Sequence, residues 1–94
     1  PARLMIDCSH GNSGKDHRRQ PEVVTAVAGQ VAAGSRQLFG VMLESFLVDG
    51  RQDLKPGVPP VFGQSITDAC MSWERTAPLF GELAEAVRRR RQGQ

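Results

Sequence analysis

The chain has 94 residues, of which 39% are hydrophobic and 23% charged, a balance that suits a packed globular domain and argues against disorder. Its formal net charge of +2 is too small to call for nucleic acid or a membrane surface as a partner, and four of the twelve basic residues are the single run Arg88-Arg89-Arg90-Arg91. That run suits the last turn of a helix, where the helix dipole favours cations; a phosphate-binding tail is the alternative. No apolar stretch reaches the length of a membrane span and no signal-peptide pattern opens the chain, so a cytoplasmic location is expected. Cys8 and Cys70 show no CxxC spacing and read as buried thiols in a reducing compartment.

Residues 3–8 form a near-continuous apolar run, the mark of a strand covered on both faces. A strand that begins at Leu4, so soon after Pro1, is what a segment of a longer chain would show. A polar loop follows from Ser9 to Asp16. Lys15 in it could meet a phosphate or be solvated, and His17 reads as a solvated residue at a helix entrance. Pro21 suits the first turn of a helix. Val24, Val27, Ala28, Val31 and Ala32 then recur at helical steps, and Gly34 is placed to end it. Residues 38–44 read as a second buried strand, completing a βαβ unit whose strands should be parallel.

The segment from Val48 to Gln64 is long, polar and rich in turn-formers, which inside a domain means a functional or a poorly ordered connection. A short third strand is expected at 65–69, flanked by Phe62 and Trp73 as packing residues. The last helix is expected from about Ala77 to Arg91, with Pro78 in its first turn and Leu79, Phe80, Leu83, Ala84 and Val87 buried. Three strands and two helices cannot cover both faces of a buried sheet. The pattern is therefore α/β and fits the last three strands, with their helices, of a (β/α)8 TIM barrel, whose full length is about 250 residues. Residues 1–94 would be one partial barrel domain with no second domain.

His10, Glu44 and Asp68 each follow one of the apolar runs. In a parallel barrel, side chains at the C-terminal strand ends converge on one mouth, and an imidazole with two carboxylates there would suit a divalent cation. Blander readings stand beside this one. His10 could be a surface histidine, Glu44 could turn outward at its strand end, and Asp68 could cap a turn.

The stretches Arg3 to Gln20 (RLMIDCSHGNSGKDHRRQ), Gly40 to Leu54 (GVMLESFLVDGRQDL) and Gly63 to Thr76 (GQSITDACMSWERT) together resemble the C-terminal third of the class I, aromatic-sensitive 3-deoxy-D-arabino-heptulosonate 7-phosphate (DAHP) synthases. The resemblance implies a (β/α)8 enzyme that condenses phosphoenolpyruvate with erythrose 4-phosphate in the first step of aromatic amino acid biosynthesis. It also implies a divalent metal ion, Mn²⁺, Fe²⁺ or similar, and a homo-oligomeric full-length parent. By motif, His10 in SHGN, Glu44 in VMLES and Asp68 in SITDAC resemble the family's histidine, glutamate and aspartate ligands. Its ligand cysteine belongs to an earlier strand that these residues lack, and neither Cys8 nor Cys70 takes its place.

Most of the family's phosphate-gripping basic residues are absent too, so the segment alone is expected to be inactive. Phe46 departs from the polar residue of the family pattern, Gly14 from a serine and Arg75 from an aspartate. The rival readings are a non-catalytic βαβ module that binds phosphate or a partner through the SHGNSGK loop, and a degenerate remnant.

Overall fold

A computed structural model describes residues 3–14 and 16–93, so the phosphate reading of Lys15 lies outside the described residues. Strand β1 (Leu4–Asp7) leads through a one-turn helix α1 (His10–Ser13) and a 3-10 turn (His17–Arg19) into helix α2 (Gln20–Ala32). Strand β2 (Leu38–Met42) then pairs with β1 in parallel, Ile6 opposite Val41 and Asp7 opposite Met42. This is the expected βαβ unit. Pro21 lies in the first turn of α2, and Gly34 follows its end at φ +112°, a backbone shape that glycine adopts without a steric penalty.

Two-residue strands β3 (Ser45–Phe46) and β4 (Met71–Ser72) form a second parallel pair. The expected third strand at 65–69 is not formed. The Ser65 hydroxyl instead accepts the N–H of Thr67 at 3.1 Å, a local bond that competes with a strand ladder. Single bridges join this turn to the preceding segment, Ser65 to Arg51 and Cys70 to Gly50.

Helix α3 (Trp73–Gln92) begins a full turn before the expected Ala77. Ser72 caps it by accepting the Arg75 N–H at 3.3 Å, and the Thr76 hydroxyl donates back to the Ser72 carbonyl at 2.9 Å. Pro78 consequently sits inside the helix, where the first turn has already formed and one backbone bond is forgone. Arg75 pairs with Asp49 at 3.1 Å, which explains why a basic residue is accepted there.

The long segment before β4 is ordered by two carboxamides. Gln52 donates to the carbonyls of Val61 and Gln64 and accepts the Val61 N–H, and Gln64 donates to the Asp49 carbonyl.

Helices α2 and α3 pack on each other and cover one face of the β1–β2 sheet. One cluster joins Val27, Ala28, Val31, Leu38 and Ala86; the other joins Cys8, Val24, Met71 and Leu79. The opposite face is bare: Met5 is 57% and Phe39 62% exposed. Strands expected to be covered on both faces are thus covered on one among the described residues. Phe62 and Trp73, expected to pack, are also exposed; the Trp73 ring pairs with that of Phe80, ring centroids 6.0 Å apart. Phe80 and Cys70 lie less deep than expected as well.

The radius of gyration is 15.7 Å, against about 12 Å for a self-contained domain of this length. The thinnest extent is 15 Å, little more than one sheet with one helical layer. These dimensions describe a thin slab and not a self-contained domain. No helix among the described residues is long and apolar enough to cross a membrane.

Leu38 is buried at the N-terminal end of β2, where it joins the sheet to α2 and α3. Leu38→Ala should cost about 2–5 kcal/mol of stability by the lost packing and the cavity left behind. Denaturant unfolding of the protein checks this, and an unchanged midpoint would contradict the packing described.

Candidate metal centre

Parallel pairing sends the C-terminal ends of β1 and β2 to the same edge of the sheet, and the chain puts a polar residue just past each end. After Asp7 the backbone turns directly into α1, with His10 at φ +48°. A non-glycine residue in that region carries about 1–3 kcal/mol of strain. Gly14 closes the helix at φ +63°, which accounts for glycine in place of a serine.

The strain at His10 is held by hydrogen bonds around Asp7. The Ser9 N–H donates to Asp7 Oδ1 at 2.8 Å, the Ser9 hydroxyl donates to the same oxygen, and Asn12 donates to the Asp7 carbonyl at 2.7 Å. The imidazole Nδ1 of His10 lies 2.9 Å from both Asp7 Oδ2 and Ser9 Oγ.

The other ring nitrogen faces acid. His10 Nε2 is 2.6 Å from Glu44 Oε1 and 3.2 Å from Asp68 Oδ2. With Nδ1–H shared with Asp7, a neutral ring would turn its Nε2 lone pair toward two carboxylate oxygens. Three acceptors so close require a cation among them, either a proton on the ring or a metal ion. The Asp7 bond and then the nearby Glu44 charge hold the His10 pKa above its ordinary value, while the Ser9 hydroxyl and His10 hold the Asp7 carboxyl below the usual carboxylate range.

One donor atom from each of His10, Glu44 and Asp68 lies within 4.8 Å of the other two. Donors at right angles, each about 2.1 Å from one ion, would stand about 3 Å apart. The donor set therefore fits a divalent ion, and the carboxylate on the far nitrogen of the histidine is the usual outer partner of a metal-bound imidazole.

Glu44 is the best sheltered of the three, and its backbone is held from both sides. Its N–H donates to Gln20 Oε1 at 2.9 Å; its carbonyl accepts from Gln20 Nε2 at 3.1 Å and from the Met71 N–H at 3.0 Å. Asp68 reaches the site differently from expectation, on the turn before β4 instead of at the end of a strand. Arg51 steadies that turn, donating to the Thr67 carbonyl at 2.7 Å and to Asp53 at 2.6 Å.

A cavity of about 220 Å³ opens beside the three side chains, lined also by Ser9, Ser13, His17, Gln20 and Arg51. His17, read as solvated, thus borders this cavity. Burial raises the Cys8 thiol pKa, consistent with a packing role for that residue. Asp7, Gln20 and Arg51 were not singled out from sequence. Only Asp7 carried a usable signal, as the acid three residues before a candidate ligand.

The fold and site define an α/β barrel segment with a candidate ion-binding edge. The chain superposes with a TM-score of 0.88 and 48% identity on the solved structure of phospho-2-dehydro-3-deoxyheptonate aldolase from Francisella tularensis, covering 94% of this chain and 25% of that one. It is an α/β fragment matching a quarter of that DAHP synthase TIM barrel. The tyrosine-inhibited phospho-2-dehydro-3-deoxyheptonate aldolase of Schizosaccharomyces pombe is 55% identical over 98 residues, spanning 100% of this chain and 26% of that protein. The Phe-sensitive enzyme of Escherichia coli K12 is 50% identical over 91 residues, with 97% and 26% covered.

The DAHP synthetase I family profile matches residues 1–80, and the chain belongs to that family. It spans about a quarter of the length of the curated relatives it matches.

Because Asp7 is the leading cause of the raised His10 pKa, Asp7→Asn should move the titration midpoint of His10 downward in the ion-free protein. Proton NMR of the ring C–H signals reads this directly. A midpoint that stays in place would contradict the role given to Asp7.

Proposed function

We propose that residues 1–94 serve as the C-terminal quarter of a 3-deoxy-7-phosphoheptulonate synthase, which condenses phosphoenolpyruvate with erythrose 4-phosphate. The observation that carries this reading is the facing of His10 Nε2 by Glu44 and Asp68 at 2.6 and 3.2 Å, in a chain of the DAHP synthetase I family. His10, Glu44 and Asp68 would hold a divalent ion such as Mn²⁺ or Fe²⁺; imidazole and carboxylate donors admit several such metals. When bound, that ion supplies Lewis acidity, polarising a carbonyl oxygen and stabilising negative charge as a bond forms.

The chain's own groups do the preparatory work. Asp7 and Ser9 hold the His10 ring by Nδ1 so that Nε2 points at the acids. Arg51 braces the Asp68 turn. The cavity beside the ligands gives small phosphorylated substrates a place to approach. Phe46, two residues past Glu44, is half exposed and is not among the residues that line the cavity beside the ligands.

The bare face carrying Met5 and Phe39 supports the view that the remaining barrel strands complete the structure, and that residues 1–94 alone lack activity. In the complete enzyme, His10→Ala, Glu44→Ala and Asp68→Ala should each lower metal affinity and condensation activity by at least about 10–100-fold, the range seen when even outer partners of a metal are removed. Elemental analysis of the purified variants and a phosphoenolpyruvate-consumption assay test this. Full metal content and full activity in these variants would overturn the assignment.

A further inference from the structure

We infer that Gln20 is a positioning residue that fixes Glu44 at the ion-binding edge, a role that rests on the metal reading above. Gln20 is the first residue of α2 and is 1% exposed. Burying a long carboxamide costs side-chain freedom and hydration, and the cost is offset only if both of its polar ends find partners. Both ends find the same residue: Oε1 accepts the Glu44 N–H at 2.9 Å, and Nε2 donates to the Glu44 carbonyl at 3.1 Å.

The reason for this arrangement lies in the sheet. The last tie between the β1 segment and β2 is the Cys8 N–H to the Met42 carbonyl at 2.9 Å. Two residues further on, the β2 chain has left the ladder, and a Glu44 peptide without partners could swing. A glutamine side chain offers one carbonyl acceptor and an N–H donor, as a neighbouring peptide group would. Gln20 therefore acts as a one-residue substitute strand.

With the Met71 N–H also on the Glu44 carbonyl, the backbone of this ligand is held by α2 on one side and β4 on the other. The hydrogen bonds of the Gln20 side chain go to the Glu44 backbone and not to its carboxylate. Gln20 works through the backbone from which the Glu44 carboxylate projects, and it lies on the same connecting segment as His10, so it ties the two ligands' positions together.

The test uses the complete barrel that contains this segment, with Mn²⁺ as the probe. Gln20→Met keeps the length and bulk of the side chain and removes both bonds. Mn²⁺ affinity, measured by titration with electron paramagnetic resonance detection, should fall about tenfold or more, as for other outer-shell partners of metal ligands. The Glu44 amide should also exchange with deuterium faster than in the parent.

Leu38→Ala, at the far end of β2, is the control for general destabilisation and should leave Mn²⁺ affinity within about twofold, as expected of distant sites that do not couple. Should Gln20→Met not fold, Gln20→Glu, which keeps the acceptor for the Glu44 N–H and loses the donor, is read in the same way. Unchanged Mn²⁺ affinity in the Gln20 variant, or an equal loss in Leu38→Ala, would overturn the positioning role. An unsubstituted barrel that binds no Mn²⁺ would strike down the metal reading itself, and that failure is visible before any substitution is made.

Discussion

The site depends on an electrostatic conflict at one nitrogen atom. Asp7 and Ser9 claim the Nδ1 side of His10, which leaves Nε2 pointing at the oxygens of Glu44 and Asp68. Acceptors packed this closely repel one another unless a positive charge lies among them. Without a metal, a proton on the imidazole meets the need, as the raised His10 pKa reflects. Under the proposed reading a divalent ion takes the place of that proton. The strained backbone at His10 is consistent with a side chain held in place by its surroundings, since φ +48° is a conformation that histidine does not favour by itself.

The fold produces this meeting with few parts. Parallel pairing of β1 and β2 sends His10 and Glu44 to the same edge although a whole helix separates them in sequence. The third acid arrives by another route, on a turn braced through Arg51 and bridged to residues 50–51. The two helices bury one face of the sheet and leave the other open. The parts of the chain that define the site are therefore well tied together, while the surface behind Met5 and Phe39 is that of an unfinished barrel wall. This division matches a chain that superposes closely on one quarter of a larger structure.

What could be read from sequence follows the range of the forces involved. The βαβ unit was legible because periodicity, Pro21 and Gly34 are local signals that tertiary packing reinforced. Parallel topology pointed to a shared edge for His10 and Glu44 but left open whether either side chain turned outward; the structure turns both inward. Asp68 was grouped with them as the acid after a third expected strand, but the Ser65–Thr67 turn replaces that strand and brings it to the site by another route. Pro78 suggested a helix start, but the Ser72 cap, five residues before the expected start at Ala77, had already begun the helix. Phe62 and Trp73 read as packing residues, yet their side chains find little to pack against in this quarter of a barrel. Gln20 was silent for a different reason: a polar residue before a helix proline usually faces water, and its burial depends on a partner 24 positions away.

Anomalous diffraction from crystals of the complete barrel grown with Mn²⁺ would examine the proposed centre most directly. The account predicts one strong peak within about 2.0–2.6 Å of His10 Nε2 and of a carboxylate oxygen from each of Glu44 and Asp68. A bound ion located away from these three side chains, or their continued direct contact with no ion among them at saturating Mn²⁺, would contradict it.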